Sequence, residues 1–451
     1  MWQRLARSEL LSTFFPTWLW QGREWSKWRI PKYDPYYWLV SDAHPVTSTY
    51  YPFTIISSYL ASRFKSLDAS FCALCCTILL HIVGQAYGWG LLLSSTWDSN
   101  TLVALLGTIT FTLAGYNWKQ QPCFQYTVAW FPWLLLGIAK HSTLLSGISF
   151  GMILLAGYYP IGIQIALVAG FATIYWKCPP YWIPIGIIIG LPQLIPFLKY
   201  LPKTIRANKH DSIGKVPWWH FIHLVFPGAT RWSVNGVGFW EMSYYVGIIP
   251  LLTIWYTTSV ALALIGISLM LMLGTLEKCL PRIPARWSYT FQFGLIWSAL
   301  SGLNNLHLSD KTLAILCLIQ AYDLIHNNLP LLITRPYSEL PQKPSRAFNT
   351  RLTRYLEANL GQYRVSGLPY PLFTGHINQL RTLGYSGGMQ LKLMAKWRND
   401  TNPNGSGEHD WFRRNEDSDL LRRYNVKYAF TSQRIDWKRT PISKLWANPS
   451  L

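Results

Sequence analysis

The chain has 451 residues, half of them hydrophobic and only 13% charged, with 40 Lys+Arg against 20 Asp+Glu for a formal net charge of +20. A water-soluble domain carries about twice that charged fraction, and the mean hydropathy is +0.13, so an ordinary soluble domain is a poor fit. The cationic excess suits anionic headgroups or phosphate-bearing substrates, and nucleic acid is set aside because apolar spans dominate and no recognition motif is present.

In chain order, residues 1–68 are mixed and aromatic, with several prolines and no long apolar run. They read as a polar loop region, carrying short or interfacial helices. The start "MWQRLARSELLSTFF" has cations but no apolar core followed by small residues, so it lacks the pattern of a signal peptide. Apolar segments follow near 69–93, 101–116, 123–139, 143–158, 161–176 and 181–199, joined by short linkers that suit antiparallel neighbours. Between 69 and 209 the only acidic residue is Asp98. Residues 200–245 form a large polar loop, and 246–275 is one apolar stretch, long for one helix and short for two. Further spans are expected at 287–305 and 312–334.

Residues 335–451 hold 19 Lys+Arg and 9 Asp+Glu, a net of +10 (19 − 9). They read as a C-terminal α+β polar domain. "RAFNTRLTRYLEANL" (346–360) has helical spacing, and "QYRVSG" (362–367) and "VKYAFTS" (426–432) have strand character. The expected architecture is therefore mostly α. It is a polytopic transmembrane bundle of about 9–10 helices over 69–334, with a polar domain after it. Trp (24) and Tyr (26) are abundant, and "PPYWIP" (179–184) and "PWWHF" (217–221) read as interfacial belts. Cys72, Cys75 and Cys76 lie inside one apolar span, where plain packing outweighs metal or redox chemistry.

Five stretches, in order, resemble the YfhO-like bacterial membrane proteins, grouped with GT-C-type glycosyltransferases. They are "KYDPYYWLVSDAHPVTSTYYPF" (32–53), "GMILLAGYYP" (151–160), "HLVFPGATRWSVNGVGFWEMSYYVGIIPLL" (223–252), "RIPARWSYTFQFGLIWSAL" (282–300) and "DSDLLRRYNVKYAFTS" (417–432). Asp34 stands where that family usually has Asn. The chain opens almost inside the first external loop, so the resemblance implies either that the family's first transmembrane helix is missing or that the start is truncated. The acidic pattern there reduces to Glu9, where Asp is usual.

The resemblance implies transfer of a sugar from a polyprenyl-phosphate-linked donor to a cell-envelope acceptor, a polysaccharide or a protein. It also implies a bacterial cytoplasmic (inner) membrane location with the C-terminal domain extracytoplasmic. Such chemistry needs an acidic group to activate the acceptor or hold a metal. It also needs cations at the interface for the phosphate leaving group. The acidic candidates are Glu9, Asp34 and Asp42, with His44 two residues from Asp42 on an extended chain. Plainer roles suit them too: Asp34 before Pro35 as a turn residue, Asp42 as a helix cap. No D-x-D or E-x-D motif stands in this loop, so no metal is assigned, although a divalent ion would be compatible.

The basic candidates are Arg282 and Arg286, four apart and on one face if the helix begins that early, with Arg231 from the large loop. Snorkelling to headgroups is their plainer role. Glu241 either contacts substrate or stabilises a helix start. Asp323 and His326, three apart in the last span, are placed to face each other. Two other functions fit the same pattern. One is a flippase or transporter for a lipid-linked saccharide, and the other is an inactive envelope-assembly scaffold.

Overall fold

The computed structural model describes residues 14–31, 33–34, 41–42, 48–96, 101–115, 122–203, 216–226, 245–253, 259–274, 284–333, 351–361, 364–366, 382–383 and 426–429. These residues are mostly helical. The chain divides into two compact units: 1–75 with 195–208 and 337–451, and 76–194 with 209–336.

In the first unit, α1 (Phe15–Trp25) packs on α2 (Pro52–Ser62). Both helices carry Pro in the first turn, where the missing N–H costs nothing. Gly22 sets their close approach, because a Cβ there would overlap the Ser58 carbonyl. Gln21 Nε2 donates to Thr49 Oγ1 at 2.9 Å beside that crossing. Two-residue strands β1 (Tyr33–Asp34) and β2 (Ser41–Asp42) pair antiparallel between the helices in sequence. Helix α3 (Leu67–Thr96) begins in this unit, with Ser70 Oγ donating to the Ala61 carbonyl at 2.8 Å.

The second unit is a series of apolar helices: α4 (Thr101–Leu113), α5 (Pro122–Ala129), α6 (Phe131–Ala139), α7 (Thr143–Ala156), α8 (Tyr159–Tyr175) and α9 (Trp182–Tyr200). Next come α10 (Ile248–Thr253), α11 (Ser259–Leu273), α12 (Ser288–Asn305) and α13 (Asp310–Ile333). The breaks have local causes. Pro132 in the first turn of α6 separates it from α5, where one segment over 123–139 was expected. Proline lacks the N–H that would continue the ladder, and its ring meets the carbonyl four residues back. Ser142 caps α7 by accepting from Leu145 N at 3.4 Å, and Gly157 ends it in the left-handed region at φ 78°. Pro160 then opens α8. The "LAGYYP" stretch is thus a corner between two helices.

The core of this unit is aromatic. Trp89 stacks on Phe111 with centroids 4.0 Å apart, and Phe131 meets Trp89 edge-on at 5.5 Å. Phe293 lies 5.2 Å from Phe131. Helices α7 and α9 meet through two glycine pairs, Gly147/Gly151 and Gly186/Gly190. A Cβ on Gly147 would stand 2.6 Å from Ile185 Cγ2, and one on Gly190 would stand 2.6 Å from Leu154 Cβ. Small residues four apart on both helices let the backbones close up, the commonest way apolar helices associate in lipid.

Among the described residues two helices, α3 with 30 residues and α9 with 19, are long and apolar enough to cross a membrane. At about 1.5 Å per residue they rise roughly 45 and 28 Å, against about 30 Å of hydrocarbon. Five shorter apolar segments among the described residues, α4, the α5–α6 run Cys123–Ala139, α7, α8 and α11, have 13 to 17 residues, about 20–26 Å of rise. Leu80 and Val83 on α3, Ile188 on α9 and Leu318 on α13 point outward, 64% exposed or more.

The ambiguous 246–275 stretch holds two helices, α10 of six residues and α11 of fifteen. Six residues rise about 9 Å, so α10 crosses nothing alone. Beyond α13, the described residues are α14 (Arg351–Asn359) and strands β3 (Arg364–Ser366), β4 (Thr382–Leu383) and β5 (Val426–Ala429). Strand β3 lies between β4 and β5 and is parallel to both. The rest of the expected C-terminal domain lies outside the described residues.

Candidate functional site

Arg286 is the one basic candidate among the described residues. It sits in a 3-10 turn, Pro284–Trp287, which leads into α12. The expected helical face shared with Arg282 therefore does not begin at 282: the α-helix starts at Ser288, and Arg282 lies outside the described residues. Arg286 is half-buried, its guanidinium carbon 5.6 Å from the centroid of the Tyr158 ring. Tyr158 comes from the Gly157–Pro160 corner, so the helix break between α7 and α8 positions the ring.

An aromatic wall continues from there. Phe124 meets Tyr158 edge-on at 5.8 Å and Tyr289 at 5.9 Å, and Tyr289 is buried. A ring under a guanidinium attracts the cation through its quadrupole. The N–H donors of a guanidinium lie in the plane of the group and suit a two-pronged acceptor at its edge. Behind the wall, Thr290 Oγ1 donates to Gln164 Oε1 at 3.0 Å and ties α12 to α8.

Asp34 and Asp42 belong to the first unit. The backbone ladder pairs Asp34 with Ser41 and Tyr33 with Asp42, so the two aspartates stand one register step apart on neighbouring strands. Glu9, His44, Arg231 and Glu241 lie outside the described residues. Among the described residues no group of three or more His, Cys, Asp or Glu is gathered to hold a metal ion.

A polar cluster around α13 was not anticipated. Asp323 accepts the Tyr245 hydroxyl at 2.7 Å, the Ile248 amide at 2.9 Å and Asn327 Nδ2 at 2.7 Å. Gln320 Nε2 donates to the Val246 carbonyl at 2.8 Å and to Thr110 Oγ1 at 3.2 Å, and its Oε1 accepts from the Ile249 amide at 3.3 Å. Gly247 between them is at φ 91°, and a Cβ there would fall on the Gln320 amide. The side chains of α13 thus clamp the residues that lead into α10. Asp323 is fully engaged in that clamp. His326 stacks on Tyr322 with ring centroids 5.6 Å apart.

In the 3-10 helix Trp218–Leu224, Trp218 and Trp219 are exposed while His220 and His223 are buried, with ring centroids 4.5 Å apart. Burial, and then the neighbouring His223, holds the His220 imidazole down to about 4.

Fold and clusters together define a mostly helical protein with apolar helices of membrane length and an arginine set on an aromatic wall. No family model, no curated protein and no solved structure matches the chain.

Proposed function

We propose that the chain is an integral membrane glycosyltransferase of the YfhO-like, GT-C type. It would have about 9–10 membrane helices and an extracytoplasmic α+β C-terminal domain in the bacterial inner membrane. The donor is a polyprenyl-phosphate-linked sugar and the acceptor an envelope polymer. The observation that carries this reading is Arg286, half-buried over the Tyr158 ring at the head of α12. An ordinary snorkelling arginine extends into headgroups; this one is held against a ring by two elements of the fold.

In the transfer, an acceptor hydroxyl attacks the anomeric carbon and its proton passes to a carboxylate of the first loop, with Asp34, Asp42 and Glu9 as the candidates. The carbon–oxygen bond to phosphate breaks, and the phosphate leaves with the electron pair. Arg286 offers paired N–H donors to the charge that gathers on the phosphate oxygens, an interaction stronger after bond cleavage than before. Arg282, Arg231 and Glu241 remain substrate-side candidates.

The test is binding of a polyprenyl-phosphate sugar to the purified protein in detergent. Saturable binding weakened about tenfold or more by Arg286→Ala, and partly kept by Arg286→Lys, is expected, since one charge-assisted pair is worth about 1.5–3 kcal/mol. Equal binding by parent and Arg286→Ala sinks the assignment. Single replacements of Glu9, Asp34 and Asp42 then separate an enzyme from a flippase or scaffold. Only the enzyme loses transfer while keeping donor binding.

A further inference from the structure

Helix α2 is built inside out. Its buried positions are Thr54, Ser58 and Ala61, each fully buried, and its outward positions are Phe53, Ile56, Leu60 and, just past its end, Phe64, each 42–59% exposed. The spacing puts the four apolar side chains along one helical stripe. A helix in water turns such a stripe inward. Here the inward face is small and polar because α1 crosses there at Gly22, with no room for larger groups.

The cations lie at one end only. Arg63 and Lys65 are exposed just after the helix, and Arg63 donates to the Tyr59 hydroxyl at 3.0 Å while its guanidinium lies 4.9 Å from that ring. Arg63 to Ser66 then lead directly into α3, a helix of membrane length. Helix α2 itself has eleven residues, about 16 Å of rise, too little to span.

We infer that α2 is an interfacial membrane helix that lies at the mouth of the α3 span. Phe53, Ile56, Leu60 and Phe64 sit among the acyl chains, and Arg63 and Lys65 meet anionic headgroups. Three observations select lipid over a protein partner: the inverted polarity, the terminal cations, and direct continuity with a membrane-length helix. An interfacial helix of this kind binds through apolar area plus attraction to anionic lipid.

The test places a diazirine amino acid at Ile56 or Leu60 of the full chain, reconstituted in nanodiscs of phosphatidylcholine and phosphatidylglycerol in equal parts. After irradiation, mass spectrometry is expected to find phospholipid adducts at positions 56 and 60. A parallel probe at Leu80 on α3 reports whether the chain is in the bilayer at all. Lipid adducts at 80 without any at 56 and 60 overturn the interfacial helix alone. Their absence at all three overturns the membrane reading with it. Crosslinks from 56 to a second copy of the chain also overturn the inference, in favour of a dimer face. Arg63→Glu with Lys65→Glu is expected to reduce adduct yield at 56 in the anionic discs, and no change would remove the headgroup role.

Discussion

Replacing Gly151 with alanine separates two opposed effects of known size. In an isolated helix the change stabilises by about 0.8–1 kcal/mol, because glycine loses more backbone freedom on folding. In this fold the new Cβ would stand 2.5 Å from Ile189 Cβ and Cγ2 and 3.2 Å from the Gly186 carbonyl oxygen. Carbon atoms in contact sit about 3.5–4.0 Å apart, so the helices must part by about 1 Å. A rotamer change of Ile189 does not help, since its Cβ is fixed to the backbone. Overpacking of this kind costs about 1–3 kcal/mol. In lipid, α7 and α9 have mainly close packing to hold them together. The net expectation, about 2 kcal/mol lost against about 1 gained, is a loss of roughly 1 kcal/mol, of opposite sign to the propensity effect. The assay is detergent-driven unfolding in mixed micelles followed by far-ultraviolet circular dichroism. Ile189→Gly in the Gly151→Ala background removes the obstructing atoms and is expected to give a coupling of about 1 kcal/mol or more. A Gly151→Ala protein as stable as the parent, or uncoupled to Ile189, refutes the zipper.

Three further outcomes follow from individual geometries. Trp28 is 97% exposed at φ 58°, the position after α1 where glycine is usual, with its N–H donating to the Trp25 carbonyl and that of Arg29 to Glu24. Trp28→Gly is expected to stabilise the fold by about 1 kcal/mol in the same assay, because a side chain in the left-handed region costs roughly 1–2 kcal/mol. Asp323→Ala leaves the Tyr245 and Ile248 donors without their acceptor, while Asn327 keeps the main-chain carbonyl of residue 323, and should cost about 3 kcal/mol. His326→Ala should cost less than about 0.5 kcal/mol and add to it without coupling. His220 is neutral in the fold down to about 4, whereas an unfolded histidine takes its proton near 6.5. The unfolded chain thus binds more protons between those values, and stability is full above pH 6.5 and falls as pH drops towards 4. His220→Gln should flatten that part of a stability–pH curve.

Helix positions were legible wherever proline, glycine or a polar cap punctuates the chain. Segments expected at 101–116, 143–158, 181–199 and 287–305 are helices Thr101–Leu113, Thr143–Ala156, Trp182–Tyr200 and Ser288–Asn305. The split at Pro132 and the paired glycines of α7 and α9 were visible signals that apolar content alone outweighed. The Asp323 clamp was not legible, because its Tyr245 partner is 78 residues away and only tertiary structure brings them together. The shared face of Arg282 and Arg286 presumes an α-helix through both, whereas Pro284–Trp287 is a 3-10 turn and Arg282 lies outside the described residues. Of the acidic loop, the register of Asp34 and Asp42 is on view, and Glu9 and His44 are outside the described residues.

Periodicity gives a helix two faces but not their direction, and in α2 the direction carries the information. Phe53, Ile56, Leu60 and Phe64 are readable as a stripe from sequence alone, and a soluble fold would turn it to the core. Leaving four such side chains about half exposed to water forgoes roughly 1 kcal/mol each, about 4 kcal/mol together, against a typical total stability of 5–15 kcal/mol. Rolling α2 over would recover that in water. It would also drive those side chains into the α1 crossing, where even a single methyl at Gly22 meets backbone. The arrangement is therefore strained in water from both sides and relaxed in lipid, where outward apolar groups cost nothing and a small, close crossing is the favoured contact. Gly22→Leu separates the two solvents: it should disrupt the α1–α2 pairing in bilayers, and if α2 instead rotated in a water-soluble fold, its apolar stripe would become protected from hydroxyl-radical footprinting.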